Sequence, residues 1–234
     1  MMRDSVSYLP FRRIGVFSRK LINLPYREGL LVDAQLAWLG PRKYARTLGP
    51  VLVRLGRVDA LAAWGVARHT SESVRALAVR MRLPYVCLED GFLRSVKPGL
   101  TGEPGISLIA DPVGIYYDST RPSLLERLIL DSSEEDDDML HRAYKGIQRL
   151  RSLRLSKYNQ APDQLAPSVP TAGFALVVDQ RQGDVSVLRS GSSANVFKDM
   201  LQYAIHKHGA QRVVVKSHPD SFIAGKEGYL VEIA

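Results

Sequence analysis

One cysteine, Cys87, stands among 234 residues. That scarcity excludes a disulfide within the chain and a cysteine-rich metal site. Set inside the apolar run 83–88, Cys87 reads as a buried small hydrophobe. Long apolar runs are missing as well: none approaches the roughly 18–20 residues that cross a bilayer. The N-terminus is polar and basic, without the apolar core of a secretory signal, so a cytoplasmic chain is expected. Zinc-finger spacing and the aromatic pattern of RNA-reading sheets are absent, and nucleic acid is not expected as a partner. Residues 131–234 lack net charge, with 13 Lys+Arg against 13 Asp+Glu, whereas residues 1–130 hold 19 against 11. The whole excess of +8 therefore lies in the front of the chain. There it suits a nucleotide or a phospholipid headgroup.

What is present is an ordinary globular composition, 45% hydrophobic and 24% charged. Residues 13–17 read as a short strand, and residues 28–39 fit either a helix or a strand. Gly40-Pro41 breaks the chain before a basic helix over 42–55, ended by Gly56. Residues 58–64 form a buried strand. Thr70 or Ser71 then caps a helix to Arg82 with Val74, Leu77, Ala78 and Met81 on its apolar stripe. With the strand at 83–88, residues 58–91 spell a parallel βαβ unit.

Short strands are expected at 106–110 and 114–117. Arg121-Pro122-Ser123 opens a helix with Leu124, Leu125, Leu128 and Ile129 inward. The acid run 131–138 leads a helix from about 135 to 153 that ends in Arg149, Arg151 and Arg154. This arrangement complements the helix dipole, and no metal site is expected there. A second strand–helix–strand follows at 174–178, 192–208 and 211–216. The α/β domains expected are an N-terminal Rossmann-like domain over 1–155, a proline-rich linker over 156–171, and the beginning of a second Rossmann-like domain over 172–234.

Three strand ends carry polar clusters: Glu89-Asp90-Gly91, Asp179-Gln180 with Asp184 and Ser186 beyond, and Lys216-Ser217-His218-Pro219. Strand ends on one edge of a parallel sheet open into the ligand crevice. Carboxylates there serve an anomeric carbon and an attacking hydroxyl, while cations and helix N-termini serve a leaving phosphate. The set suits glycosyl transfer. By residue type alone, each cluster also reads as a cap, a turn or an ion pair.

Read as strings, the same residues resemble a family. Leu88-Glu89-Asp90-Gly91-Phe92-Leu93-Arg94-Ser95-Val96 and Gly114-Ile115-Tyr116-Tyr117-Asp118-Ser119-Thr120-Arg121-Pro122-Ser123 are similar to capsule polysaccharide export and biosynthesis proteins of the KpsC (LipA) type. So are Ser156-Lys157-Tyr158-Asn159, Val178-Asp179-Gln180, Gly183-Asp184-Val185-Ser186-Val187 and Lys216-Ser217-His218-Pro219-Asp220, and upstream Val16-Phe17-Ser18 and Ala63-Trp64-Gly65.

The resemblance implies a GT-B-like fold of two Rossmann-like halves. It implies a retaining β-Kdo glycosyltransferase that uses CMP-Kdo, with no cofactor beyond that donor. The product implied is the Kdo linker of a lipid-anchored capsular polysaccharide. The acceptor is a lipid of phosphatidylglycerol type, with peripheral contact at the inner membrane. Glu89 or Asp90 is the implied acid/base and Asp184 the nucleophile. His218 and Pro219 lie at the CMP phosphate, and Gly91 belongs to the acid motif. Lys216, Arg94, Ser95, Tyr117 and Gln180 are further candidate substrate contacts. The family pattern continues past the His-Pro motif, where only residues 221–234 remain. A second domain with uncovered apolar edges is therefore expected. The alternative expectation is a non-catalytic or split-enzyme subunit that binds a partner or an anionic ligand.

Overall fold

The computed structural model describes residues 9–25, 31, 34–66, 69–97, 99–131, 137–159, 169–170, 172–220 and 227–230. The chain divides into two compact units, residues 1–116 with 121–159, and residues 117–120 with 160–234. Much of the expected linker (160–168 and 171), the middle of the acid run (132–136) and most of the C-terminal stretch (221–226 and 231–234) lie outside the described residues.

In the first unit, β1 (Arg13–Val16), β2 (Gln35–Trp38), β3 (Ala60–Trp64), β4 (Tyr85–Asp90) and β5 (Leu108–Asp111) form one sheet. Its order is β2-β1-β3-β4-β5. The first four strands are parallel and β5 runs antiparallel to β4. Residues 28–39, ambiguous by pattern, thus supply an edge strand. The near-continuous apolar character of β3 has a physical reason. Leu61 and Ala63 point into one core with Phe17, Leu39, Val74 and Leu77, while Ala60 and Ala62 point into another with Ile14, Val16, Val86 and Leu88. A strand covered on both faces carries no polar alternation.

The basic stretch expected as one helix is two, α2 (Tyr44–Thr47) and α3 (Gly49–Gly56), after the short α1 (Arg19–Ile22). Pro50, in the first turn of α3, forces the restart. Helix α4 (His69–Met81) ends in Arg82 at φ 55°. There Arg82 N donates to Val79 O (3.1 Å) and Leu83 N to Ala78 O (2.9 Å). This is a Schellman closure with arginine where glycine is usual, and it aims the chain into β4.

Residues 114–117 are not a strand. Buried Asp111 curls that segment: Oδ1 accepts from Val113 N (2.7 Å) and Gly114 N (2.8 Å), and Oδ2 from Leu124 N (2.9 Å). Helix α5 (Leu124–Leu130) is capped by Ser123. Its leucines do not face inward, since Leu125, Leu128 and Ile129 are 52, 40 and 65% exposed. The spacing marks an apolar stripe but cannot say what covers it. The next helix, α6 (Asp137–Ser152), likewise buries no residue.

The second unit pairs β6 (Ala175–Val178) with β7 (Val213–Lys216) in parallel. Between them come α7 (Val185–Arg189), a helix unforeseen in the expected loop, and α8 (Ala194–His208). Val177, Val187, Phe197, Leu201, Ala204 and Leu230 form its core. The opposite face leaves Leu176 and Val178 exposed. Tyr229, stacked on Phe197 at 4.7 Å, and fully buried Leu230 cover the near side.

Candidate active site

In the first unit the acids are inside β4, not beyond it: Glu89 pairs with Ile109 and Asp90 with Leu108 of β5. Successive strand residues face opposite ways, and the two carboxylates have different partners. Trp64 Nε1, at the end of β3, donates to Glu89 Oε1 at 3.0 Å. Asp90 Oδ1 meets Arg94 Nε at 3.0 Å. Arg94 also donates to Ser95 Oγ (2.7 Å) and Glu103 O (2.8 Å), and Ser95 donates to Lys97 O (2.7 Å). Arg94 and Ser95, expected as substrate contacts, also shape the loop after β4.

Two glycines permit that shape by close approach. A Cβ on Gly91 would fall on the Ser107 side chain, and one on Gly99 would lie 2.6 Å from Arg94 Cζ. Cys87, deeper in β4, is inert, because burial, with Glu89 and Asp111 adding, pushes its thiol up to about 12.

In the second unit the acids separate by burial. Asp179, 1% exposed, accepts from Gln180 N (2.7 Å) and Tyr229 N (3.0 Å) through Oδ1, and from Leu230 N (3.2 Å) through Oδ2. It straps residues 229–230 onto the end of β6. Gln180 joins this strap through its backbone, its carbonyl accepting from Tyr229 N.

Asp184 caps α7. Its Oδ1 accepts from Ser186 N (2.9 Å) and Ser186 Oγ (2.8 Å), and Oδ2 faces Arg181 NH2 at 3.4 Å. Burial pushes this carboxyl upward, but the two Ser186 bonds, Arg181 and His218 outweigh it and hold the group below its ordinary 3.8. Asp184 is therefore ionised at neutral pH, with His218 close enough to act on it. His218 Nδ1 accepts from Asp220 N at 3.1 Å, which leaves Nε2 to carry the proton of the neutral ring. Lys216 ends β7 opposite Val178, and Pro219 follows His218 directly. Tyr117 opens the segment 117–120, which groups with this unit. There Ser119 Oγ donates to Arg189 O at 2.8 Å and buried Asp118 lies 3.9 Å from Arg189.

A profile of the family described as "Capsule polysaccharide biosynthesis protein" matches residues 59–231. The chain belongs to this family. The capsule polysaccharide modification protein LipA of Neisseria meningitidis serogroup B is 38% identical over 182 residues, 75% of this chain and 25% of LipA. The lipopolysaccharide-processing protein LpsZ of Rhizobium meliloti is 30% identical over 160 residues, 67% of this chain and 36% of LpsZ. The chain thus spans about a quarter of the length of LipA. Among solved structures, the KpsC beta Kdo 2,4 transferase of Thermosulfurimonas dismutans matches with a TM-score of 0.78 at 35% identity, covering 95% of this chain and 65% of that one. The beta Kdo 2,7 transferase of the same organism matches at 0.55 and 24% identity and shares the fold. The expected fold class holds: the family member is α/β and GT-B-like, with Rossmann-like units.

Within the family fold, each unit gathers its own expected residues: Glu89, Asp90, Gly91, Arg94 and Ser95 in the first, and Tyr117, Gln180, Asp184, Lys216, His218 and Pro219 in the second. Sequence reasoning assigns no role to Arg181 or Asp111, and marks Trp64 only as part of a family string. Only Arg181 has a local signal, standing three residues before Asp184, whereas Asp111 acts by reaching ahead to Leu124. Trp64 lies in the family string Ala63-Trp64-Gly65, but its bond to Glu89 arises only through the pairing of β3 with β4. Among the described residues no three His, Cys, Asp or Glu side chains assemble into a metal site, and no helix is long and apolar enough to cross a membrane.

Proposed function

We propose that the chain carries a Kdo-transfer site of capsule biosynthesis, moving Kdo from CMP-Kdo to a hydroxyl of a lipid-linked acceptor of phosphatidylglycerol type with retention. The observation that carries the reading is the partly buried Asp184 carboxylate, held by Ser186 and Arg181 at the start of α7 in the unit that also carries Lys216 and His218. An anionic carboxylate suits attack on the anomeric carbon as its bond to the CMP phosphate breaks. CMP departs with the bonding pair, and the Nε2–H of His218 and the ammonium of Lys216 suit its charge. In the second displacement the acceptor hydroxyl replaces Asp184 and gives its proton to a carboxylate base. Glu89 fits that role better than Asp90. It is oriented by the Trp64 indole, whereas Asp90 is paired with Arg94. The basic front of the chain would draw anionic donor and acceptor together, and contact with an anionic inner-membrane surface follows from the same charge.

A second reading has its own observation: Asp184 Oδ1 is engaged by Ser186 as a helix cap, the usual work of such an aspartate. On that reading the chain binds anions or a partner without catalysis. Incubation with CMP-Kdo and a Kdo-primed lipid acceptor, with product mass as readout, decides. Transfer is expected, and Glu89→Gln should slow it about 10²–10⁴-fold. Calorimetric binding of CMP-Kdo without any transfer would favour the second reading.

A further inference from the structure

The strand order of the first unit reverses at one place. From β1 the chain goes to β2 on one side, then returns to β3 on the other. The crevice between the carboxyl ends of β1 and β3 is the topological switch point, where open α/β sheets hold ligands. A pocket lies there, lined by Phe17, Ser18, Arg42, Trp64, Thr70 and Ser71 among others. Its volume is about 20 Å³, room for one group the size of a water molecule and not for a sugar ring.

The lining has the chemistry of an oxyanion site. Ser18 and Ser71, 8 and 2% exposed, are buried hydroxyls. Ser18 Oγ accepts from Arg42 NH2 at 2.9 Å, and its own O–H has no acceptor among the described residues. Nor does any carboxylate among the described residues pair with Arg42. A buried hydroxyl with a proton to give calls for an incoming acceptor atom, and Arg42, exposed at the rim and without an acid, can reach the same atom. The Trp64 indole borders the pocket and also holds Glu89.

We infer that this pocket anchors one carboxylate or phosphate oxygen of the acceptor through Arg42 and Ser18, fixing the molecule whose hydroxyl is to be activated at Glu89. The inference rests on the transfer reading for the identity of the acceptor, but the pocket can be tested without transfer. Trp38 and Trp64 are the only two tryptophans. Trp38→Phe leaves Trp64 as sole reporter and keeps an aromatic face for Arg19, which lies 4.5 Å from that ring.

Free Kdo titrated into the Trp38→Phe chain should change Trp64 emission saturably. Arg42→Ala should weaken that binding about tenfold or more, Arg42→Lys less, with unchanged circular dichroism. A second titration with glycerol 3-phosphate separates the sources. Response to Kdo assigns the oxyanion to a sugar carboxylate, and response to glycerol phosphate alone assigns it to a lipid phosphate. Silence with both ligands, or equal affinity in Arg42→Ala, overturns the site. The two readings fail separately. Arg42-dependent binding without transfer would leave the pocket standing and remove the transferase reading, while transfer with Arg42-independent binding would do the reverse.

Discussion

The two units place their acids by different means. The first builds on the interior of a five-stranded sheet with a core on each face, and the pairing of β4 with β3 and β5 sets Glu89 and Asp90. The second has two strands and one core, and side chains do the placing. Asp179 holds residues 229–230, and Asp184 holds the start of α7. The comparison separates acids by burial as well. Those with almost no exposure, Asp111, Asp118 and Asp179, bind backbone or neighbouring side chains and organise turns. The half-buried ones, Glu89, Asp90 and Asp184, keep access to solvent.

Asp179→Ala should strike hardest. It takes the carboxylate from three backbone N–H donors, leaving those of Gln180 and Leu230 without an acceptor and Tyr229 N with Gln180 O alone, and should remove about 3 kcal/mol from the second unit. Both tryptophans lie in the first unit, so their emission reports that unit alone. Urea unfolding followed by far-UV circular dichroism should shift while the tryptophan transition stays. Movement of both in step would break the comparison.

Gly91→Ala tests the first unit in the opposite direction. The new methyl meets Ser107, and the cost should be about 1–3 kcal/mol, seen in the tryptophan transition. A neutral outcome would mean the loop after β4 is free to shift.

The smallest effect concerns acid. Because the folded Asp184 carboxyl is depressed, its contribution is present above the unfolded value and is lost as pH falls below about 3.8 and through the folded value. Carbon-detected NMR titration should find Asp184 below 3.8, and Ser186→Ala should move it upward. An unmoved midpoint would assign the depression to Arg181 and His218 alone.

Much of this was readable before the fold. The βαβ unit over 58–91 followed from apolar runs and the stripe Val74, Leu77, Ala78 and Met81, because both signals are local. The strand ends carrying the acids were legible for the same reason. What escaped was long-range. The extension of β4 through Asp90 depends on pairing with β5, and the bend at 114–117 on the carboxylate of Asp111 reaching ahead to Leu124. Asp179 looked like a site residue because nothing near it announces a partner fifty residues on. The family strings marked the neighbourhoods proposed for chemistry, and burial then divided their members into holders and candidates.

The division is tested most directly by the transfer rate of Asp184→Asn from CMP-Kdo to a Kdo-primed lipid. Asparagine is as good a helix cap as aspartate, so the variant should keep the parent's circular dichroism and urea midpoint while transfer falls below detection. Transfer at the parent's rate in that folded variant would make Asp184 another structural acid and contradict the account.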